Sequence, residues 1–324
     1  MPAQTGDTQL PVPLLRMLGS DPVYQYDFGL DADAGANPCQ KVITLEPVYL
    51  HEGGGGDPRW VDWYLRENFS GECLSFGYAQ AGQENSFGWP GMKDGLTYQF
   101  AQFARLQAEG KLTAEPLGDT GRWFKRTFDR TPASAITAHG AWDDPERHSV
   151  WYCSRFYRLN LYADHGSLRI RDLHLFDEHH PDPYEDTVCR GNTAAYETLP
   201  VVDGNRHSGS GILAGICPEE TDGTPIGAQE LCFTGEDTIA AVTAGRLCFT
   251  MSDDALTVTG EGEFVLKIRR GRTDDHMPET VSLEKRCQTM RYGGTEYALR
   301  LERGTFADAD TIRSENGCVL FRFS

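Results

Sequence analysis

The sequence predicts an α/β domain over about residues 1–130, followed by an all-β domain over residues 131–324. Before this boundary, short apolar runs alternate with stretches of helical periodicity, which is the rhythm of a parallel α/β unit. After it, short segments of alternating apolar and polar residues follow one another at close spacing, separated by Gly-rich turns. The expected fold class is therefore a partial (β/α) barrel or small parallel sheet, followed by an antiparallel β-sandwich.

The clearest helix of the α/β part is amphipathic. Its apolar side chains follow spacings of four, three and three residues and so share one helical face: Leu96, Phe100, Phe103 and Leu106. Gly110 is the predicted end of this helix. Apolar runs over residues 74–78 and 112–117 predict a strand on each side of it. A second short helix follows, with Asp119 or Thr120 as its cap.

Two further strands are predicted nearer the N-terminus, over residues 23–27 and 41–45. A helix follows the second one, because Asp57 suits an N-cap and Pro58 suits the first helical position. Four strands with three helices make about half of a (β/α) barrel. Three possibilities stay open: a small sheet covered by the all-β domain, a barrel completed by another chain, or a chain that is the C-terminal part of a longer polypeptide.

The all-β part begins with two long alternating segments, residues 150–162 and 167–176. The turn Asp164-His165-Gly166 joins them, which predicts a hairpin. Shorter segments of the same kind continue to residue 323 with almost no helical periodicity. This texture is typical of an antiparallel β-sandwich.

Composition excludes several classes of partner. The formal net charge of −18 argues against nucleic acid, because phosphate binding needs a basic face. The sequence has no apolar run of the length expected of a membrane helix, and its first residues do not form a signal peptide pattern. The nine cysteines are scattered, without a C-x-x-C pair, which predicts free thiols in a reducing, cytoplasmic compartment.

Acidic side chains stand at or just beyond the ends of three predicted strands: Asp27, Glu46 and Glu84. Parallel neighbours would gather these strand ends at one mouth. Glycosidic bond cleavage needs one carboxyl group as general acid and another as base or nucleophile. We therefore predict all three as catalytic residues, with Glu46 and Glu84 as the acid/base pair. The alternative is that they end strands or cap helices without a catalytic role.

Aromatic and polar side chains near these acids are predicted to bind a sugar, together with one from a later loop: Tyr49, Trp60, Asn85, Trp89 and Tyr184. Trp89 is the predicted stacking platform. Trp60 also suits a position in the hydrophobic core, because it belongs to an apolar helical face.

A His- and acid-rich stretch spans residues 172–186 and includes His174 and His180. Such side chains suit zinc, manganese or calcium, but the stretch has no recognised ligand spacing. The prediction is a solvated loop without a metal or cofactor, in which Tyr184 and His180 face a ligand, and a metal-dependent hydrolase is kept as an alternative. Residues 203–211 are rich in Gly and Ser and are predicted to form another loop.

The segment FGWPGMKDGLTYQFAQFARLQAEGKLTAEPLGDTGRWFKRTF resembles the closing units of the (β/α) barrel in large bacterial carbohydrate-active proteins, of the α-mannosidase-like and polysaccharide-deacetylase-like kind. In those families a late barrel helix leads into an all-β domain that packs against the barrel. The resemblance implies action on carbohydrate. Those families place their metal-binding Asp and His residues on early barrel strands that this chain lacks, so no catalytic residue carries over by motif.

Two hypotheses follow from the sequence. The first is a glycoside-hydrolase-like protein that acts on carbohydrate through the strand-end carboxylates. The second is a non-catalytic glycan-binding or assembly subunit, whose missing barrel strands come from a homo-oligomer or a companion chain.

Overall fold

The computed structural model describes residues 21–24, 43–48, 53–79, 81, 88–177, 179–180, 188, 190, 199–209, 211–271 and 277–323. Within them the chain forms three helices, α1 (Pro58–Phe69), α2 (Gly88–Ala108) and α3 (Leu117–Thr127). The side chain of Asp57 accepts a hydrogen bond from the backbone N–H of Arg59 at 3.0 Å, and Pro58 occupies the first helical position. This confirms the predicted start of α1.

Strands make up the rest of the regular structure. They form two sheets. The nine-stranded sheet I contains β1 (Ser134–Ala138), β2 (Arg147–Cys153), β3 (Tyr157–Asp164), β4 (Ser167–Leu175), β5 (Leu199–Asp203), β6 (Gly215–Glu219), β11 (Val265–Arg269), β15 (Thr305–Asp308) and β16 (Thr311–Arg313). The eight-stranded sheet II contains β7 (Cys232–Glu236), β8 (Ile239–Ala244), β9 (Leu247–Ser252), β10 (Ala255–Gly260), β12 (Glu279–Glu284), β13 (Cys287–Tyr292), β14 (Thr295–Arg303) and β17 (Cys318–Arg322).

Every strand pair in the described part of the chain is antiparallel. The order in sheet I is β1-β2-β3-β4-β6-β11-β16-β15, and β5 pairs with β4 beside this path. The order in sheet II is β12-β13-β14-β17-β10-β9-β8-β7.

The two sheets pack against each other through one hydrophobic core. Alternation sets this face: on β9, Leu247, Phe249 and Met251 are buried, and the residues between them are half-buried. Tyr157 of β3 reaches across and donates its hydroxyl to the carbonyls of Ser252 and Ala255, at 3.0 and 2.9 Å. Its phenol thus stays hydrogen-bonded inside an apolar layer.

Helix α1 covers the opposite, outer face of sheet I. Trp60, Val61 and Tyr64 form a second apolar cluster that includes Ala138 of β1 and Tyr162 of β3. Strand β4 is consequently buried at every position except its first residue. Polar side chains on the outer face of these central strands are therefore enclosed by protein.

A short N-terminal segment, residues 21–24, also lies on this outer face, and we call it the strap. The carbonyl of Pro22 accepts hydrogen bonds from Ser149 Oγ at 2.7 Å and from Trp151 Nε1 at 2.8 Å. The Asp21 carboxylate accepts from Trp60 Nε1 at 2.8 Å and from the backbone N–H of Val23 at 2.8 Å. Sheet and helix donors thus hold the strap from both sides.

The predicted partial (β/α) barrel or small parallel sheet is wrong. The described residues contain no parallel strand pair, and two of the four predicted strands, 74–78 and 112–117, are not strands. Leu74 instead inserts into the core between the sheets, while Leu112 packs against the cluster around α1. Both runs are apolar because their side chains pack, although their backbones pair with no strand. Periodicity alone does not distinguish such a packed segment from a buried strand.

The remaining predictions for the first part have mixed outcomes. Only residues 23–24 and 43–45 of the two earliest predicted strands lie within the described chain, and neither piece forms a strand. Helix α2 is confirmed, and Gly110 follows it with a φ of +71°. Its predicted apolar face is only partly used, because Phe100 is 60% exposed. The antiparallel texture expected after residue 131 agrees with the strands, and the domain boundary near residue 130 stays a prediction.

Candidate metal centre

A β-bulge in β4 sets the geometry of the site. Asn160 of β3 pairs with Asp172, whereas the next residue of β3, Leu161, pairs with Ile170, so Arg171 is an extra residue on β4. Ile170 belongs to the core between the sheets. Arg171 and Asp172 both make their contacts on the outer face, which a regular strand does not allow for consecutive residues.

The bulge brings three potential ligands together. Asp172 lies directly opposite Asp203, the last residue of β5. His174 is two residues beyond Asp172 on the same face, and its Nε2 lies 3.4 Å from Asp172 Oδ2 and 3.3 Å from Asp203 Oδ2. The ligand atoms of all three residues lie within 4.8 Å of one another, and all three residues are buried.

Fixed donors orient both carboxylates. Asp172 accepts from Arg158 with both oxygens, Oδ1 from Nε at 2.8 Å and Oδ2 from Nη2 at 3.2 Å. Asp203 Oδ1 accepts from the backbone N–H groups of Asn205 and Arg206, at 3.0 and 2.8 Å, in the turn after β5. Both Oδ2 atoms consequently face His174. Outer contacts that orient the ligand groups in this way are typical of metal centres.

The imidazole of His174 is 2% exposed, and within the described chain neither of its ring nitrogens forms a hydrogen bond. Nε2 lies within ion-pair distance of both Asp172 Oδ2 and Asp203 Oδ2. A buried polar atom without a partner carries a desolvation cost of about 1–3 kcal/mol. The ring therefore has unused binding capacity directed at two carboxylate oxygens.

The charged groups of the cluster shift the pKa values of one another. Burial raises the pKa of Asp172, but Arg158 and His174 lower it by more, so this carboxyl is ionised at neutral pH. Burial lowers the pKa of His174, and Asp172 and Asp203 raise it above its usual value. Nearby, burial lowers the pKa of His207 to about 4. Its Nδ1 accepts from the backbone N–H of Asp203 at 3.1 Å, so this ring is a neutral outer contact.

Most of the predicted sugar site lies outside the described residues, namely Asp27, Tyr49, Glu84, Asn85 and Tyr184. Glu46 is half-buried in the segment 43–48. Trp60 is a core residue, fully buried, with its indole N–H on Asp21. Trp89 is 63% exposed at the start of α2. The pairing of Glu46 with Glu84 stays a prediction, but the described residues of the two strands expected to bring them together, 43–45 and 74–78, do not form strands.

The His- and acid-rich stretch divides in two. Asp172 and His174 belong to a strand and join the buried cluster, whereas Asp177 and His179 lie beyond it and contact each other at the surface. The sequence predicts a loop at Asp203 and so misses this residue. The signal for it is the segment LPVVD, an apolar run that predicts a strand with Asp203 as its last residue.

Comparisons with known proteins add little. No family model matches the sequence, and no curated protein matches it. The chain is similar to an active YidC insertase crystal structure with its first transmembrane domain resolved (11% identity, 54% of this chain, 38% of that chain, TM-score 0.32). It is also similar to YidC from Thermotoga maritima (14% identity, 54% and 48% coverage, TM-score 0.32). The chain spans less than half of either structure, and likeness this low carries no argument.

None of the three helices in the described part of the chain is long and apolar enough to cross a membrane.

Proposed function

We propose that this protein binds a single divalent transition-metal cation, with zinc as the leading candidate, through Asp172, His174 and Asp203. The observation that carries the proposal is the buried Nε2 of His174, which forms no hydrogen bond with the described residues and lies 3.3–3.4 Å from two carboxylate oxygens. The cation would tie β4 to β5 on the outer face of sheet I.

The spacing of the ligand atoms favours tetrahedral coordination. Zinc bonds of about 2.0–2.1 Å in a tetrahedron separate neighbouring ligand atoms by about 3.4 Å. Octahedral coordination at the similar bond length of magnesium would separate them by about 2.9 Å. The separations of 3.4 and 3.3 Å from His174 Nε2 agree with the first value. An imidazole ligand also disfavours calcium and magnesium, which prefer oxygen donors.

The charge of the cluster is compatible with a cation. Asp172 and Asp203 contribute two negative charges, and Arg158 contributes one positive charge. A buried group of charges needs compensation, either by a proton on His174 or by a metal ion. A proton on Nε2 would form an ion pair with the two carboxylates, whereas a cation would bind the lone pair of Nε2 and both carboxylate oxygens together.

The direct test is metal analysis of the protein purified without chelators, followed by zinc titration of the stripped protein. We expect one zinc per chain and a free energy of unfolding that rises by about 2.7 kcal/mol when free zinc is a hundred times its Kd. His174→Gln and Asp203→Asn should abolish this rise. The matched controls His179→Gln and Asp177→Asn change the same residue types at the surface and should keep it.

A stripped protein that binds no zinc, manganese, iron, cobalt or nickel, with unchanged stability, would contradict the proposal. The cluster would then be an ion-pair network closed by a proton on His174.

Glycan binding is kept as a second proposal on one observation. Trp89, the predicted stacking platform, is 63% exposed, which is unusual for so large an apolar side chain. Titration with a panel of oligosaccharides, followed by tryptophan fluorescence, tests it. Trp89→Ala should remove any response, and a protein that responds to none of the sugars would contradict glycan binding.

A further inference from the structure

We propose that the strap, residues 21–24, and Arg171 are positioning elements of the metal centre, so that strap docking and cation binding strengthen each other. This inference rests on the proposed function. The strap and Arg171 do not bind the cation themselves. They make the outer contacts that position one of its ligands, Asp172.

The bulge is necessary for the centre. If β4 instead ran through Arg171 as a regular strand, without the bulge, the side chain of Asp172 would lie on the same face as Ile170 and turn toward the apolar core. With it, Asp172 and His174 share the outer face. Any contact that stabilises the bulge therefore stabilises the arrangement of the ligands.

Arg171 is the residue that the bulge adds, and its side chain is fully buried. Its Nε donates to Asn160 Oδ1 at 2.7 Å, and its guanidinium carbon lies 3.9 Å from the ring centroid of Tyr162. Its Nη1 donates to the carbonyl of Val23 in the strap at 2.7 Å. The strap thus supplies a hydrogen-bond acceptor for a buried cation on the residue next to Asp172.

The strap is itself held by the strands that carry the cluster. Its Pro22 carbonyl accepts from Ser149 and Trp151 of β2, and Ser149 Oγ also accepts from Asn160 Nδ2 at 2.9 Å. Asn160 in turn pairs with Asp172. Loss of the strap would remove the Val23 and Pro22 carbonyls as acceptors of the Arg171 guanidinium, which is costly and favours rearrangement of the bulge.

Coupling of this kind is reciprocal, because each event changes the free energy of the other by the same amount. Cation binding should therefore protect the strap. The Trp60 Nε1–H group, which donates to the Asp21 carboxylate, and the Asp21 amide, which donates to the carbonyl of Ile43 at 2.8 Å, report on strap docking, since each of these bonds joins the strap to another segment.

The experiment measures the Kd for zinc by competition with a chromophoric chelator. Arg171→Met and Trp151→Phe remove a strap contact without touching a ligand, and each should raise the Kd about tenfold or more, as outer contacts of metal sites do. Val258→Ala, which lies in the core on β10, is the control for a general loss of stability and should leave the Kd within about twofold. The second measurement is hydrogen exchange at Trp60 Nε1 and at the Asp21 amide, which should slow when zinc is added to the wild-type chain.

The outcomes separate the two proposals. A wild-type chain that binds no cation overturns both of them. A wild-type chain that binds zinc, together with variants of unchanged Kd or exchange unaffected by zinc, overturns the coupling alone. Should Arg171→Met fail to fold, Trp151→Phe and the wild-type exchange data decide the question.

Discussion

Strands β3 and β4 bury both of their faces, but the two faces are built by different chemistry. The inner face is apolar and packs on sheet II, with Leu159, Leu161 and Leu173 among its members. The outer face is polar and lies under α1 and the strap, with Asn160 and Arg171 fully buried. The comparison shows how one pair of strands can supply a stabilising core on one side and a chemical site on the other.

The two faces should respond differently to substitution. Apolar burial is non-directional and scales with area, so a smaller side chain on the inner face costs a bounded amount. A buried polar group depends on its particular partners, and removing one leaves the others uncompensated. Substitutions on the outer face should therefore be more costly and more strongly coupled to one another.

The largest effect is expected for Asp172→Ala, which removes the carboxylate that Arg158 and His174 share. The loss should be about 3–5 kcal/mol in the free energy of unfolding measured in urea, because the substitution breaks a buried ion pair with Arg158, whose side chain is only 14% exposed. The double variant Asp172→Ala with Arg158→Met should recover part of this loss. Additive losses in the double variant would show that the outer face behaves like the inner one.

A smaller but more local effect is expected for Gly204→Ala, next to Asp203. A Cβ at this position would lie 2.5 Å from Arg171 Cγ and 2.8 Å from the Arg171 carbonyl oxygen. The buried guanidinium is fixed by several partners and gives way poorly, so we expect a loss of about 1–3 kcal/mol, as in an overpacked core. Thermal unfolding measures it, with Gly118→Ala as the control, because an added Cβ there would only reach Arg122 Nη1 at 3.6 Å and the backbone φ is not positive. If Gly204→Ala costs no more than the control, Arg171 is not held as firmly as the outer face requires.

The contrast between the faces also explains what the sequence could and could not predict. The alternation of β3 and β4 predicts their strands and their hairpin, because it reflects the apolar inner face. It does not reveal the extra residue at Arg171, whose side chain finds a partner in the strap, more than a hundred residues away in the chain. The predicted parallel sheet failed for a related reason: runs such as residues 74–78 are apolar because they pack, not because they pair.

The next prediction concerns the inner face at the same point of β4. Ile170→Val removes a single methylene from the core side of the bulge, and Ile170 is 1% exposed. We expect a loss of about 0.5–1.5 kcal/mol in urea unfolding. The Kd for zinc should be unchanged within about twofold, because the outer contacts of Arg171 and Asp172 are intact. A large change in the Kd would mean that the inner face, and not the strap, positions the ligands.

The smallest effect is expected for the exposed pair Asp177 and His179, which has the same residue types as the buried cluster. His179 Nδ1 lies 3.2 Å from Asp177 Oδ1, but these side chains are 95% and 55% exposed. Water competes for both groups, so Asp177→Asn should change the free energy of unfolding by less than about 0.5 kcal/mol. Zinc stoichiometry should stay the same, as measured by metal analysis. If Asp177→Asn loses zinc, the ligands lie at the surface and not in the buried cluster. Burial and fixed outer contacts would then not be what separates a metal centre from a solvated pair such as Asp177 and His179.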